Sequence, residues 1–158
     1  MSGSLSVSVL NSGYRPIPGG PGWDEKQQAT WPARTSTLIA GDRDGILVDA
    51  FLTRSEGDEL AKWVRASGKS LSRIFITHGH GDHFFGAGPT LAAFPDAQLV
   101  TMSSEVADEA RAQTAPEGLA VWNSWFEGQF DVDAAVPTAL PSGELGIEGH
   151  SVHVPDQA

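Results

Sequence analysis

The chain has 158 residues, 20 acidic against 10 basic side chains, a formal net charge of −10 and no cysteine. That length predicts one domain with a core of its own, the charge argues against nucleic acid and anionic membrane surfaces as partners, and the missing thiols exclude disulfides and thiolate metal sites. No apolar run approaches a bilayer-spanning length and Met1–Leu5 shows no leader pattern, so a cytoplasmic protein without a membrane partner is expected.

Leu5–Leu10 alternates with period two and predicts a half-buried first strand. Asn11–Pro32 is rich in proline and glycine and predicts a loop, with Trp23 and Trp31 in it. Thr35–Ala40 predicts a second strand, Gly41–Gly45 a turn and Ile46–Asp49 a third, mostly buried strand. A carboxylate such as Asp49 at the end of an apolar strand is costly unless it is paired or hydrogen-bonded. Ser55 is the expected N-cap of a helix whose apolar side is Leu60, Ala61, Trp63, Val64 and Ala66, and Gly68 stops it.

Leu71–Thr77 is a β-branched and aromatic run of buried-strand character. It leads into Thr77-His78-Gly79-His80-Gly81-Asp82-His83-Phe84-Phe85-Gly86, which holds three of the five histidines. In extended backbone His78 and His80 share a face, and glycines at 79 and 81 let the chain turn and bring in Asp82 and His83. Neutral imidazoles with a carboxylate suit a borderline metal such as zinc, with iron and manganese as alternatives. The bland alternative is a solvated His-rich loop or an adventitious metal site. Phe84 and Phe85 are expected to pack beneath the loop.

His78-x-His80-x-Asp82-His83 after an apolar strand resembles the metal-binding signature of the metallo-β-lactamase fold superfamily. Upstream, Gly45–Ala50 is similar to that family's strand ending in Asp, and Ser55–Ser67 fits its connecting helix; the likeness spans residues 34–103 at motif level. It implies an α/β protein of the metallo-β-lactamase-like αββα sandwich type. It further implies that His78 and His80 hold one metal, that Asp82 and His83 hold a second, and that Asp82 also handles a proton. Asp49 would lie beneath the loop and orient it. The implied reaction is hydrolysis of an ester, thioester, lactone or lactam in a small-molecule substrate, through water activated by one or two zinc ions. The family's loop between early strands often overhangs the site, so Trp23 and Trp31 either do that or cover the sheet edge.

Further along, a helix is expected from Pro89 to Phe94, a turn at Pro95–Ala97, a strand at Gln98–Met102 and a helix from N-cap Ser103 to about Thr114. Leu119–Phe126 places Trp122, Trp125 and Phe126 at helical spacing, as a lid or as core packing. Asp131–Pro141 predicts a loop, and Glu144–Glu148 with Ser151–Val154 a hairpin around Gly149-His150. The resemblance implies a third histidine, a bridging aspartate and a final histidine. His150 is the candidate for the first of these, ahead of His153, and Asp156 lies too near the end to be the second. Residues 1–158 are therefore expected to form one partial domain: the first sheet, its helices and part of the second half. Little hydrolase activity and self-association through an uncovered sheet face are expected of it, with a silent binding protein or a non-functional fragment as alternatives.

Overall fold

The computed structural model describes residues 3–19, 22–140 and 144–154. Its first half contains β1 (Ser6–Asn11), β2 (Arg15–Ile17), β3 (Ala29–Trp31), β4 (Thr35–Ala40), β5 (Asp44–Val48), α1 (Arg54–Ala66) and β6 (Ser70–Phe75). Its second half contains α2 (Gly81–Phe84), α3 (Ala87–Ala93), β7 (Gln98–Thr101), α4 (Ser104–Gln113), α5 (Pro116–Trp125), β8 (Thr138–Ala139), β9 (Leu145–Ile147) and β10 (His150–Val152). Six strands form one sheet in the order β1-β4-β5-β6-β7-β8. β1, β4 and β5 pair antiparallel, and β5 through β8 pair parallel. The expected α/β class is the one observed.

The parallel strands are covered on both sides toward their carboxyl ends, which is why Ile46-Leu47-Val48, Ile74-Phe75 and Leu99-Val100 are consecutive apolar residues. Leu47 and Ile74 point to the layer holding Leu60 and Val64 of α1, Ala110 of α4 and Trp122 of α5. Their neighbours Ile46 and Phe75 point the other way and pack with Val100, Leu140, Leu145 and Ile147, the last two from the β9–β10 hairpin. That hairpin turns through Glu148 and Gly149, both at positive φ (48° and 83°), a pairing typical of tight two-residue hairpin turns.

Several local expectations need correction. β1 is an exposed edge strand, not half buried: Val7 is 65% and Val9 59% exposed, while Leu10 at its far end packs against the main core. The loop at Asn11–Pro32 contains a two-stranded ribbon, β2 with β3, in which Pro16 is tolerated because the ribbon has no further neighbour. The N-cap of α1 is Thr53 and not Ser55. Thr53 and Glu56 form a reciprocal capping box, and Glu56, fully buried, also takes Arg34 at 2.6 Å. Burial alone would raise the Glu56 carboxyl; the Thr53 amide and the Arg34 charge more than reverse it. The expected loop at Asp131–Pro141 contributes β8 to the sheet, with Pro141 outside the described residues.

The hairpin is pinned to the β4–β5 turn by one carboxylate. Glu148 Oε1 accepts the amides of Arg43 and Asp44, each at 2.7 Å, and Oε2 accepts that of Asp42 at 2.8 Å. Those amides, Arg43 first, pull the carboxyl from 4.5 down to about 2. A carboxyl depressed in the folded state contributes stability that is present above pH 4.5 and lost as pH falls toward 2. Glu148→Gln is therefore expected to lower the urea midpoint at pH 7, with the gap to the parent closing as pH drops through that window. A gap that stays constant with pH would mean the ionised carboxylate is not what holds the hairpin.

Candidate metal centre

The site lies at the carboxyl ends of parallel strands β5, β6 and β7, where open α/β sheets place ligands. β5 leads directly into Asp49, which adopts φ 60°, a left-handed conformation that aspartate tolerates better than most side chains. The bend aims its carboxylate across at the loop leaving β6. Asp49 Oδ1 accepts the Thr77 amide at 2.9 Å, the Thr77 hydroxyl lies 3.0 Å from both carboxylate oxygens, and Oδ2 meets His83 Nδ1 at 2.8 Å. The backbone repeats the link, with the Ala50 amide donating to the His83 carbonyl at 2.7 Å.

Next to Asp49 the three loop histidines cluster, His80 edge-on to His78 and His83 tilted against it. The His78 ring lies 4.0 Å from that of His83 and 4.8 Å from that of His80, centroid to centroid. Asp82 Oδ1 sits 3.9 Å from His83 Nε2. Burial, then the charges of His83 and His80, push His78 below 6.5 and favour its neutral, electron-donating form. For His83 burial acts in the same direction, but the hydrogen bond and charge of Asp49, helped by Asp82, outweigh it and raise the imidazole. As they stand, no three donors among the described residues are spaced as ligands of one ion. The ring distances bring the imidazoles together and the donor spacing does not close on a point. The donor chemistry nevertheless suits zinc: one neutral imidazole, one oriented imidazole and an adjacent carboxylate.

His150 belongs to the hairpin, where its Nε2 meets the Gly3 carbonyl at 2.8 Å, and His153 is exposed beyond β10; Asp156 lies outside the described residues. Glu109 on α4 was not legible as a site residue. Its Oε2 accepts the Gly79 amide at 3.0 Å and its Oε1 lies 3.3 Å from His80 Nε2. A lone glutamate in an amphipathic helix carries no local signal that it meets a loop thirty residues upstream. The tight helix approach also explains Gly79: a Cβ there would stand 2.5 Å from Glu109 Cβ and 2.6 Å from the Ala110 amide nitrogen. At Gly81 a Cβ would strike the Phe85 ring at 2.4 Å and Trp122 at 2.9 Å. Phe84 and Phe85 are buried beneath the loop and stack at 4.6 Å.

An open cleft of about 500 Å³ adjoins the histidines, with His80 and Asp82 on one side and Trp31, Trp122 and Trp125 on the other. Trp31 and Trp23 thus part company: Trp31 packs on the aromatic wall, while Trp23 bonds the Gln27 carbonyl in its own loop. Trp122 serves the core and the cleft at once, being 8% exposed. A larger hollow of about 930 Å³ lies under that loop, from Ile17 to Ala29, with no histidine in its lining.

A sequence profile of the metallo-beta-lactamase superfamily matches residues 29–157. Among solved structures, the chain is similar to a metallo-beta-lactamase from Hirschia baltica, at 15% identity over 94% of this chain and 57% of that one, with a TM-score of 0.56. It is also similar to the HARLDQ-motif protein named a metallo-beta-lactamase from Cronobacter sakazakii, at 21% identity, 73% and 43% coverage and a TM-score of 0.51. A third is metallo-beta-lactamase FIM-1 from Pseudomonas aeruginosa in its mono-zinc form, at 13% identity, 89% and 50% coverage and a TM-score of 0.50. At such identities the likeness is one of fold, and the chain spans about half the length of these structures. None of the curated proteins compared with the chain matches it. No described helix is long and apolar enough to cross a membrane.

In the metal-free protein, histidine NMR titration should find His83 titrating above 6.5 and His78 below it. Asp49→Asn should drop His83 sharply, since burial then acts with less opposition. The His83–Asp49 pair stabilises the metal-free fold below pH 6.5, and that contribution fades as pH rises through the raised value. A His83 titration unmoved in the variant would show that the 2.8 Å contact does not exist in solution.

Proposed function

The chain belongs to the metallo-beta-lactamase superfamily, and from that premise we propose that it binds a divalent metal, zinc by preference, through His78, His80, Asp82 and His83 and serves hydrolysis of an ester, thioester, lactone or lactam. The observation that carries this reading is the clustering of three imidazoles, His83 bonded to Asp49, at the carboxyl end of the parallel strands. The mono-zinc form of one solved relative supports the choice of metal. When bound, such an ion lowers the pKa of water to about 7 and polarises a carbonyl.

The chain's own residues have separable tasks. His78 is kept neutral by its burial and its imidazole neighbours, so its lone pair is available at physiological pH. With its proton on Nδ1 toward Asp49, His83 presents Nε2 on the side of Asp82 and turns its ring in a fixed direction. Asp82 lines the cleft together with His80, and we assign it the task of taking or returning a proton. Glu109 steadies the loop from behind by holding the Gly79 amide. The exposed Val7 and Val9 on edge strand β1 support the accompanying expectation of self-association, to be read as concentration-dependent mass in sedimentation.

Calorimetric zinc titration is the direct test. Zinc should bind the parent with release of protons and more weakly in mild acid, because imidazoles must be neutral to ligate. Binding should be lost in His78→Ala and His80→Ala, and weakened about 10- to 100-fold in Asp49→Asn. Equal heats from all four proteins would place the metal elsewhere and end the reading. Zinc-dependent turnover across the four substrate classes then decides whether the centre is catalytic; tight binding with no turnover on any of them would make it a silent metal-binding protein.

A further inference from the structure

β1 is the outermost strand of the main sheet, and among the described residues it pairs with β4 alone. In the register of that ladder Ser12 stands opposite Arg34, and its amide donates to the Arg34 carbonyl at 2.9 Å. Antiparallel ladders alternate, so the even-numbered residues of β1 bond to β4. The amides and carbonyls of Val7, Val9 and Asn11 therefore point outward, away from β4. Their side chains lie on the face of the sheet shared with Ile39 and Ile46, where Val7 and Val9 are largely exposed.

Open edges are ordinarily blocked by a lysine, a proline or a bulge. β1 has none of these, and its pairing with β4 runs without a shift over all six residues. Charge is absent as well: Met1–Tyr14 holds no Asp, Glu, Lys, Arg or His, in a chain of net charge −10. Two copies repel one another over most of their surface, and along this edge they approach without opposing like charges.

The strand is also complementary to itself. Antiparallel pairing of two copies about Ser8 sets Val7 against the Val9 of the second copy, and Val9 against its Val7. Those are the residues whose backbone groups point outward, so each opposed pair exchanges two hydrogen bonds. All four valines then meet on one face of the joined sheet. Sliding the register by two residues either way sets one valine of each copy against Leu5 or Asn11 instead.

We infer that β1 is a dimerisation edge: it pairs antiparallel with β1 of a second copy of this chain about Ser8 and joins the two main sheets into one. The inference rests on the self-association proposed above and names the surface that carries it. Each copy has one β1, so the contact is isologous and closes at two. Four valines and one ladder of bonds make a small interface, and the dimer is a reversible one.

Sedimentation over a range of concentrations tests it, with near-ultraviolet circular dichroism checking the fold of every variant. The parent should show a monomer–dimer equilibrium. Val9→Lys, which puts a cation on each strand of the pair, should raise the dissociation constant about tenfold or more. Val9→Pro removes an outward amide and no bond to β4, and should do the same. Ser8→Cys reads the register directly. The two copies of position 8 would face each other as a non-hydrogen-bonded pair with Cα atoms about 4.5 Å apart, within reach of a disulfide. The chain has no cysteine of its own, so mild oxidation should cross-link this variant about tenfold or more faster than Ser104→Cys, at an exposed position on α4. A parent that is monomeric at every concentration ends both the edge assignment and the self-association reading. Association unchanged by Val9→Lys and Val9→Pro, with Ser8→Cys cross-linking no faster than Ser104→Cys, overturns the edge assignment and leaves self-association standing through another surface.

Discussion

The bonds made by the Asp49 carboxylate tie the rest of the site together. It follows β5, crosses to the first residue after Ile76 and reaches the last histidine of the loop, so the end of β5 and both ends of a loop about thirty residues on share two oxygen atoms. An ionised group at the end of a buried strand is expensive to desolvate, and here each oxygen has a donor that returns the cost. The left-handed backbone at Asp49, and again at Phe51 with φ 64°, is a further expense, on the order of 1 kcal/mol or more at each non-glycine residue. The chain sustains it because the surrounding sheet is anchored on both faces, with Ile46 and Leu47 fully buried on opposite sides. A rigid strand end is what allows one carboxylate to set the direction of an imidazole ring.

How much of this could be read from the chain depends on the range of the interaction. The strand at Thr35–Ala40 and the helix from cap Ser103 to Thr114 are written in local pattern and local capping, and the structure returns the same boundaries. The clustering of His78, His80 and His83 is likewise flagged by local sequence, although a bend at 77–79 and the turn of α2, not strand alternation, bring the rings within 4.0 to 4.8 Å. The T-x-x-E box at Thr53–Glu56 was equally available, and the nearer serine at 55 obscured it. By contrast the β2–β3 ribbon is hidden by Pro16 and the surrounding glycines, because its stability comes from Trp31 packing on α5 and not from strand propensity. Exposure of Val7 and Val9 was unreadable for the same reason: alternation says that a strand has two faces, never whether anything covers them.

The glycines of the motif have a different reason from the one their sequence context suggests. Neither Gly79 nor Gly81 is at positive φ; both are needed because other groups occupy the space a Cβ would take. At Gly79 the occupant is the α4 backbone with Glu109, at Gly81 the rings of Phe85 and Trp122. Conformational freedom is thus secondary to close approach, and the loop is held by what stands behind it. Its polar clamp to Glu109 is partly exposed, with the His80 and Glu109 side chains 61% and 43% accessible, so the pair by itself adds little stability. Its value is positional, because the same carboxylate fixes the Gly79 amide.

That packing also couples the loop to the cleft. Trp122 touches the volume beside Gly81, stands edge-on to Trp31, and lines the opening into which Asp82 faces. Moving the indole would therefore move the backbone one residue from Asp82 and one from His80. The aromatic wall and the loop backbone consequently share their packing, with Phe85 and Phe130 backing both at ring distances of 5.3 to 6.4 Å. In a close-packed interior a displacement of this sort is transmitted, not absorbed. Whatever settles against Trp122 therefore also bears on Gly81 and on the two side chains, His80 and Asp82, that flank it.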